Sequence, residues 1–308
     1  MNGTTTAQLA EKTAKAVTGS VEEWTGFLQS AARLYKYSYP EQLLIYAQRP
    51  DATACASYEI WNQTMRRYVR RGARGIALPD GAGAVRYVFD VADTGARKSS
   101  REVKTWVLDE NNREAVAHAL ETQYGSAAKL GIAGQLEEIA MQQSMDYWQW
   151  HQDELRGIVD GSFLEGYDEL NLEIAFRNTA AASVKYMLLS RCNLAREYQV
   201  EPEELAGVLE WNTSAASGAL GSAVSELSEG VLRQIERTIR QYERSQNHDE
   251  RTDVHEERRV LDSRPDSSRT ADGAEQIRTD AGAVSEGASD DHLQQPAPER
   301  EIDRAPDG

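Results

Sequence analysis

The sequence predicts an α+β fold: a small N-terminal domain of helices followed by antiparallel strands, then an all-helical domain and a disordered tail. Three observations carry that expectation. Apolar residues recur at helical spacing from Trp24, then give way after residue 66 to short runs rich in Val, Ile, Tyr and Phe. Helical periodicity returns at Asn112 and lasts to Tyr242. From Asp249 to Gly308 there is no Phe, Tyr or Trp, only mixed charge, Ser, Ala, Gly and Pro. Such a stretch buries too little apolar area to offset chain entropy of about 1–2 kcal/mol per residue.

Taken in order, residues 1–20 are polar and Thr/Ala-rich and read as a flexible lead-in or a weak helix. Trp24, Phe27, Leu28, Ala31 and Leu34 then mark one face of an amphipathic helix. Ser38-Tyr-Pro-Glu41 is a capping box with Pro40 in the first turn, where its missing N–H costs nothing. The helix it opens, EQLLIYAQ, should stop before Arg49-Pro50. Ser57 is placed to cap a short helix carrying Ile60 and Trp61. RRYVRRGARGIALP and AVRYVFDVADT read as two strands joined by the turn Asp80-Gly81-Ala82-Gly83, with Thr105–Leu108 as an additional short strand. Residues 21–110 are therefore expected to be one small domain.

Residues 111–245 read as a second, helical domain. One helix is expected from about Ser126 to Arg156. Another carries Leu172, Phe176, Ala180, Val184 and Leu188 on a single ridge. A third begins after Pro202, within the first turn of EPEELAGVLEW, and the last has a stripe of Val224, Leu227, Val231, Ile235, Ile239 and Tyr242. No repeat of solenoid-like period is present, and residues 246–308 form the tail.

Composition bounds the function. The 308 residues include 34 Lys plus Arg and 50 Asp plus Glu, a formal net charge of -16. No run approaches the roughly 18–20 apolar residues of a membrane helix, and the N-terminus lacks the basic-then-apolar layout of a secretory signal. Cys55 and Cys192 form neither a metal-ligand spacing nor a disulfide framework. A cytoplasmic protein without metal or cofactor is the expectation. Acidity alone argues against nucleic acid, but the charge is uneven: through residue 110 there are 15 basic and 12 acidic side chains, while the rest carries a net of -19.

Signatures of catalysis are missing. There is no G-x-x-x-x-G-K-[ST] loop and no G-x-S-x-G elbow. Gly81-Ala-Gly83 lacks the third glycine of a dinucleotide turn, and His255-Glu256 is followed by Arg259 where a zinc helix needs its second histidine. Asp90 and Asp93 read as strand-end carboxylates. The positive signal is the run RRYVRRGAR, with Arg66, Arg67, Arg70, Arg71 and Arg74 and no acid among them. A guanidinium keeps its charge and donates two parallel hydrogen bonds to phosphate. Both faces of a strand through this run would be basic, so it reads as an exposed ribbon or a strand entering a loop at Gly72 and Gly75. Tyr37, Trp61 and Tyr68 lie nearby as candidate stacking groups, with Lys36 and Arg49 as further phosphate contacts. Basic grooves lined with aromatic platforms bind single-stranded nucleic acid without reading sequence. A solvated strand face beside ordinary core aromatics is the alternative.

These residues also carry a resemblance. Trp24…Phe27-Leu28…Tyr35-Lys-Tyr-Ser38…Gln42-Leu-Leu-Ile45…Gln48-Arg-Pro-Asp-Ala-Thr53, followed by Trp61-Asn62…Arg67-Tyr-Val…Arg71-Gly72…Gly75-Ile76, resembles the N-terminal domain of ArdC-type antirestriction proteins. It is also similar to the LtrC-like start of very large proteins of conjugative elements in Gram-positive bacteria. Gly161-Ser-Phe-Leu164, Ser183–Cys192, Trp211-Asn-Thr213 and Leu220–Ser225 extend the similarity through the helical part. The resemblance implies a single-stranded-DNA-binding module at the front of a DNA methylase and helicase assembly. The Pro-Pro loop of adenine methylases, the helicase motor loops and a metallopeptidase half are all missing from this sequence. The expected role is thus an accessory module and not an enzyme, partnered by DNA and by helicase or methylase modules of the same element. The competing expectation is an antirestriction or protein-docking function of the acidic helical surface.

Overall fold

The computed structural model describes residues 2–262 except 82, 196, 197 and 199, with side chains through residue 246. It is an α+β structure in which helices dominate around a small antiparallel sheet. The first element, α1 (Gly3–Val17), is the helical alternative for the lead-in and not a flexible one. Asn2 caps it by accepting the Thr5 N–H at 2.9 Å, and Ala14 and Val17 are buried. The structure follows the predicted boundaries of α2 (Val21–Arg33) and α3 (Tyr39–Gln48) closely. Ser20 accepts the Glu23 N–H at the start of α2, and Glu41 accepts the Ser38 N–H at the start of α3.

Next come β1 (Cys55–Ser57), a single π-helical turn (Ile60–Thr64), β2 (Tyr68–Val69), β3 (Ile76–Pro79), β4 (Val85–Asp90) and β5 (Thr94–Gly95). The order β1-β4-β3 forms one antiparallel sheet, with Ala56 opposite Phe89 and Ala77 opposite Tyr87. A separate ribbon pairs Tyr68 with Gly95 and Val69 with Thr94. The arginine run therefore does not extend into β3 as one strand. Arg66 lies at φ 54° and Gly72 at φ 87°, left-handed conformations that break the chain on either side of two paired residues. Residues 105–108 also form no strand; Trp106 is instead buried as a plug.

In the C-terminal half, α4 (Arg113–Tyr124) ends on Gly125 at φ 74°, a left-handed cap. A short 3-10 turn (Ala128–Leu130) and Gly131 at φ 70° then delay α5 (Gly131–Gly157), so the predicted start at Ser126 is too early. Asp168 caps α6 (Glu169–Arg191) by accepting the Asn171 N–H at 2.8 Å. The predicted ridge of α6, from Leu172 to Leu188, is buried throughout. The helix after Pro202 is one turn, α7 (Pro202–Leu205), continued as 3-10 to Glu210. The last helix, α8 (Ser214–Asp262), runs well past residue 246, where the tail was expected to begin; the remainder of that tail lies outside the described residues. No helix among the described residues is long and apolar enough to cross a membrane.

Residues up to 256 form one compact unit, so the expected domain boundary at residues 110–111 is not a structural one. The reason is a shared core. Trp24 and Phe27 from α2 join Phe176 from α6 and Trp211 in one cluster, each almost fully buried. The Trp24 Nε1–H donates to Ser183 Oγ at 3.0 Å, tying α2 to α6. Each fully buried side chain of this size contributes on the order of 1.5–3 kcal/mol. A smaller cluster of Leu44, Ile45, Ile76, Leu78 and Val88 seats the sheet on α3.

Candidate nucleic-acid interface

The short ribbon of β2 and β5 presents the arginine run. The π turn ends at Met65, and the Arg67 N–H reaches back to the Trp61 carbonyl at 2.8 Å, turning the chain at Arg66. Arg70 N–H then donates to the Asp93 carbonyl at 2.8 Å, and the chain turns again at Arg71-Gly72. Arg66, Arg70, Arg71 and Arg74 are exposed and have no carboxylate partner among the described residues. Arg67 is half-buried and donates through Nε to Thr94 Oγ1 at 2.8 Å, so part of its role is to hold the ribbon.

The fold adds cations that the sequence reading passed over. Ser100 Oγ donates to the Arg66 carbonyl at 2.7 Å and Arg101 N–H to the Met65 carbonyl at 2.9 Å. These bonds lay the loop 96–101 beside the arginine run and bring Arg97, Lys98 and Arg101 to the same surface, all exposed. Eight cations thus stand on two adjoining loops that contain no acid. The signal was present as a second short basic run, ARKSSR, thirty residues downstream in sequence order.

The aromatic candidates separate into two groups. Tyr68 is 42% exposed, packs over Gly95 and has the Arg97 guanidinium 5.7 Å from its ring centroid. A Cβ on Gly95 would strike the Tyr68 ring, which explains the glycine there. Trp61, by contrast, is 2% exposed and its Nε1–H donates to the Phe89 carbonyl at 2.8 Å. It is a core residue, not a stacking platform. Tyr37 is half-buried and donates to the Cys55 carbonyl at 2.8 Å, which makes it a structural group. Tyr87, 44% exposed in β4, is an aromatic the sequence reading missed; its ring lies against Gly75, the neighbour of Arg74. The period-2 alternation of Tyr87 outward and Val88 inward marks it.

The two additional cations are also engaged elsewhere. Lys36 pairs with Glu236 at 2.6 Å, and Arg49 pairs with Asp93 at 2.6 Å and Asp51 at 3.4 Å. The Asp93 hydrogen bond raises the Arg49 pKa further above its ordinary value. Neither belongs to the free basic surface. Asp90 is buried and accepts the N–H groups of Thr53, Ala54 and Ala92 at 2.7, 3.0 and 2.9 Å, a strand-end knot rather than half of a catalytic pair. Burial pushes both the Cys55 and Cys192 thiols up to about 12, in Cys55 with help from Asp90, so neither is a ready nucleophile.

Comparisons with protein-family models, with curated proteins and with solved structures find no match.

Proposed function

We propose that the chain is a single-stranded-DNA-binding accessory module, and that its binding surface is the β2–β5 ribbon with its two basic loops. The observation that carries this reading is the set of exposed arginines, Arg66, Arg70, Arg71 and Arg74, none neutralised by a carboxylate. Exposed cations of one sign recruit phosphate and release its counterions. Arg97, Lys98 and Arg101 widen the surface, and Tyr68 supplies an aromatic face for a base. The resemblance to ArdC-type and LtrC-like N-terminal regions supports the same role within a mobile element. In that role the chain acts in the cytoplasm as the front part of a methylase–helicase type protein and has no catalytic activity of its own.

The test is a fluorescence-anisotropy titration of the whole chain with a labelled, unstructured oligonucleotide. A fragment ending at residue 110 would remove most of the shared core and is not a fair probe. Changing Arg66, Arg70, Arg71 and Arg74 together to Ala should abolish most of the binding, and equal binding by the variant would refute the assignment.

A second reading rests on a groove of about 770 Å³ along α5, α6 and α7. Glu137, Glu203, Glu204 and Glu210 line it, with Lys185 pairing to Glu137 and Glu204 and with Met141 and Ile174 partly exposed, so the acids outnumber the single base. This surface suits docking of a basic partner, or occupation of a restriction enzyme in place of DNA. Inhibition of a restriction nuclease by a chain that binds no oligonucleotide would favour it.

A further inference from the structure

A different cleft, of about 380 Å³, opens where the end of α2 meets the end of α6. Gln29 and Arg33 line one side, Ser190 and Arg191 the other, with Thr53 and Thr105 between them. No carboxylate lines it. Both guanidiniums are half-buried, and both spend their hydrogen bonds on neutral carbonyls. Arg33 donates to Ala52, Gln29 and Pro50 at 3.0, 3.1 and 2.9 Å. Arg191 donates to the Trp106 carbonyl at 3.1 Å and lies 3.4 Å from the centroid of that tryptophan's ring.

Two partly desolvated cations at one cleft need a counter-charge, because a buried charge is costly unless paired. Burial lowers the pKa of both arginines; the attraction of Asp51 and Asp90 for Arg33, and of Tyr35, Cys192 and Glu236 for Arg191, offsets only part of this. None of the carboxylates forms an ion pair with either arginine, and Glu236 is already occupied by Tyr35, Lys36 and Arg240. The hydroxyls of Thr105 and Ser190 make no hydrogen bond within the described residues. An adjoining cleft shares both arginines and adds Lys36, Lys104 and Arg240 against one carboxylate, Glu236, which pairs with Lys36 and Arg240; cations therefore outnumber acids along the seam. Each guanidinium retains unused N–H donors.

We propose that this cleft is a phosphate-binding site in which Arg33 and Arg191 supply the charge and Thr105 and Ser190 supply hydroxyl donors. The remaining N–H groups of two guanidiniums together with two hydroxyls can serve three or more anionic oxygens, which phosphate presents and a carboxylate does not. The phosphate is either a small free phosphate or one group of a nucleic-acid backbone. The site is independent of the β2–β5 surface and does not rest on DNA binding there.

The test follows the arginine Nε–Hε resonances of the whole chain by NMR, first with inorganic phosphate and then with an oligonucleotide lacking terminal phosphates. Saturable shifts of Arg33 and Arg191 with inorganic phosphate support a small-phosphate site, and shifts with the oligonucleotide alone support a backbone phosphate. Absence of both overturns the proposal. Thr105 is exposed, so Thr105→Glu places a carboxylate in the cleft without disturbing the core. That variant should melt at a higher temperature and lose the response of both arginines. An unaltered response in Thr105→Glu would also overturn the site. The Arg66, Arg70, Arg71 and Arg74 variant should keep the phosphate response whatever happens to its oligonucleotide binding, which separates the two proposals.

Discussion

Glu236→Gln tests the polar joint between the N-terminal helices and α8. Glu236 is 7% exposed and accepts four hydrogen bonds: from Tyr35 Oη at 2.5 Å, Lys36 Nζ at 2.8 Å, and Arg240 Nε and Nη2 at 2.9 and 2.6 Å. Burial by itself would raise the carboxyl pKa. The hydrogen bonds from Lys36, Tyr35 and Arg240, with the Lys36 charge, outweigh it and hold the group at about 2. The substitution keeps the shape but removes the charge and turns an amide NH₂ toward donors. Losing the buried Tyr35 bond to a charged acceptor costs about 1.5–3 kcal/mol. Lys36 and Arg240 are nearly half exposed, so each adds only about 0–1 kcal/mol. The expected loss is therefore about 2–4 kcal/mol, read by urea denaturation at neutral pH. Because the folded pKa lies below the ordinary 4.5, the contribution is present above that value and lost as pH falls toward 2. The difference between wild type and variant should thus be widest at neutral pH and shrink through that window. A loss under about 0.5 kcal/mol, or a gap that does not change with acid, would refute this account of the joint.

Three other outcomes are expected. Gly221→Ala puts a Cβ into the buried Tyr39 ring and should cost about 1–3 kcal/mol in thermal or chemical denaturation, since the ring must shift within the core to admit it. Trp61→Phe should lower stability by about 1 kcal/mol through the lost bond to the Phe89 carbonyl while leaving oligonucleotide affinity unchanged; a selective loss of affinity would return Trp61 to the binding surface. Both thiols, raised to about 12, should resist iodoacetamide in the native chain at mildly alkaline pH and react once it is unfolded, as mass spectrometry would show.

What the residues disclosed depended on how local the determinant was. The Ser38 capping box and the α6 ridge are set by neighbours three or four positions apart, and both stand where the spacing puts them. The bends at Arg66 and Gly72 were less legible, because a run of Val, Tyr and Arg has strand composition while its pairing is decided by β5, more than twenty residues away. The shared core was hidden for the same reason. Trp24 and Ser183 are 159 positions apart, and nothing in either local pattern announces their hydrogen bond. Within the candidate surface, the exposure of Arg66, Arg70, Arg71 and Arg74 follows from their density, since so many like charges cannot be buried together. The fates of Lys36, Arg49, Tyr37 and Trp61 depend on partners from β1, β4, α8 and the turn after β4, which only the fold supplies. Net charge was the least informative quantity, because it averages the basic loops with an acidic remainder.

Binding of single-stranded DNA at the β2–β5 surface is tested by the salt dependence of oligonucleotide affinity for wild type and for the chain with Arg66, Arg70, Arg71 and Arg74 changed to Ala. Each phosphate contact on a single strand contributes a slope of about -0.7 in log K against log salt, so losing four contacts should flatten the slope by roughly 3. That flattening should come with a large loss of affinity, in a variant whose circular dichroism is unchanged. An equal slope and equal affinity in the folded variant would contradict it.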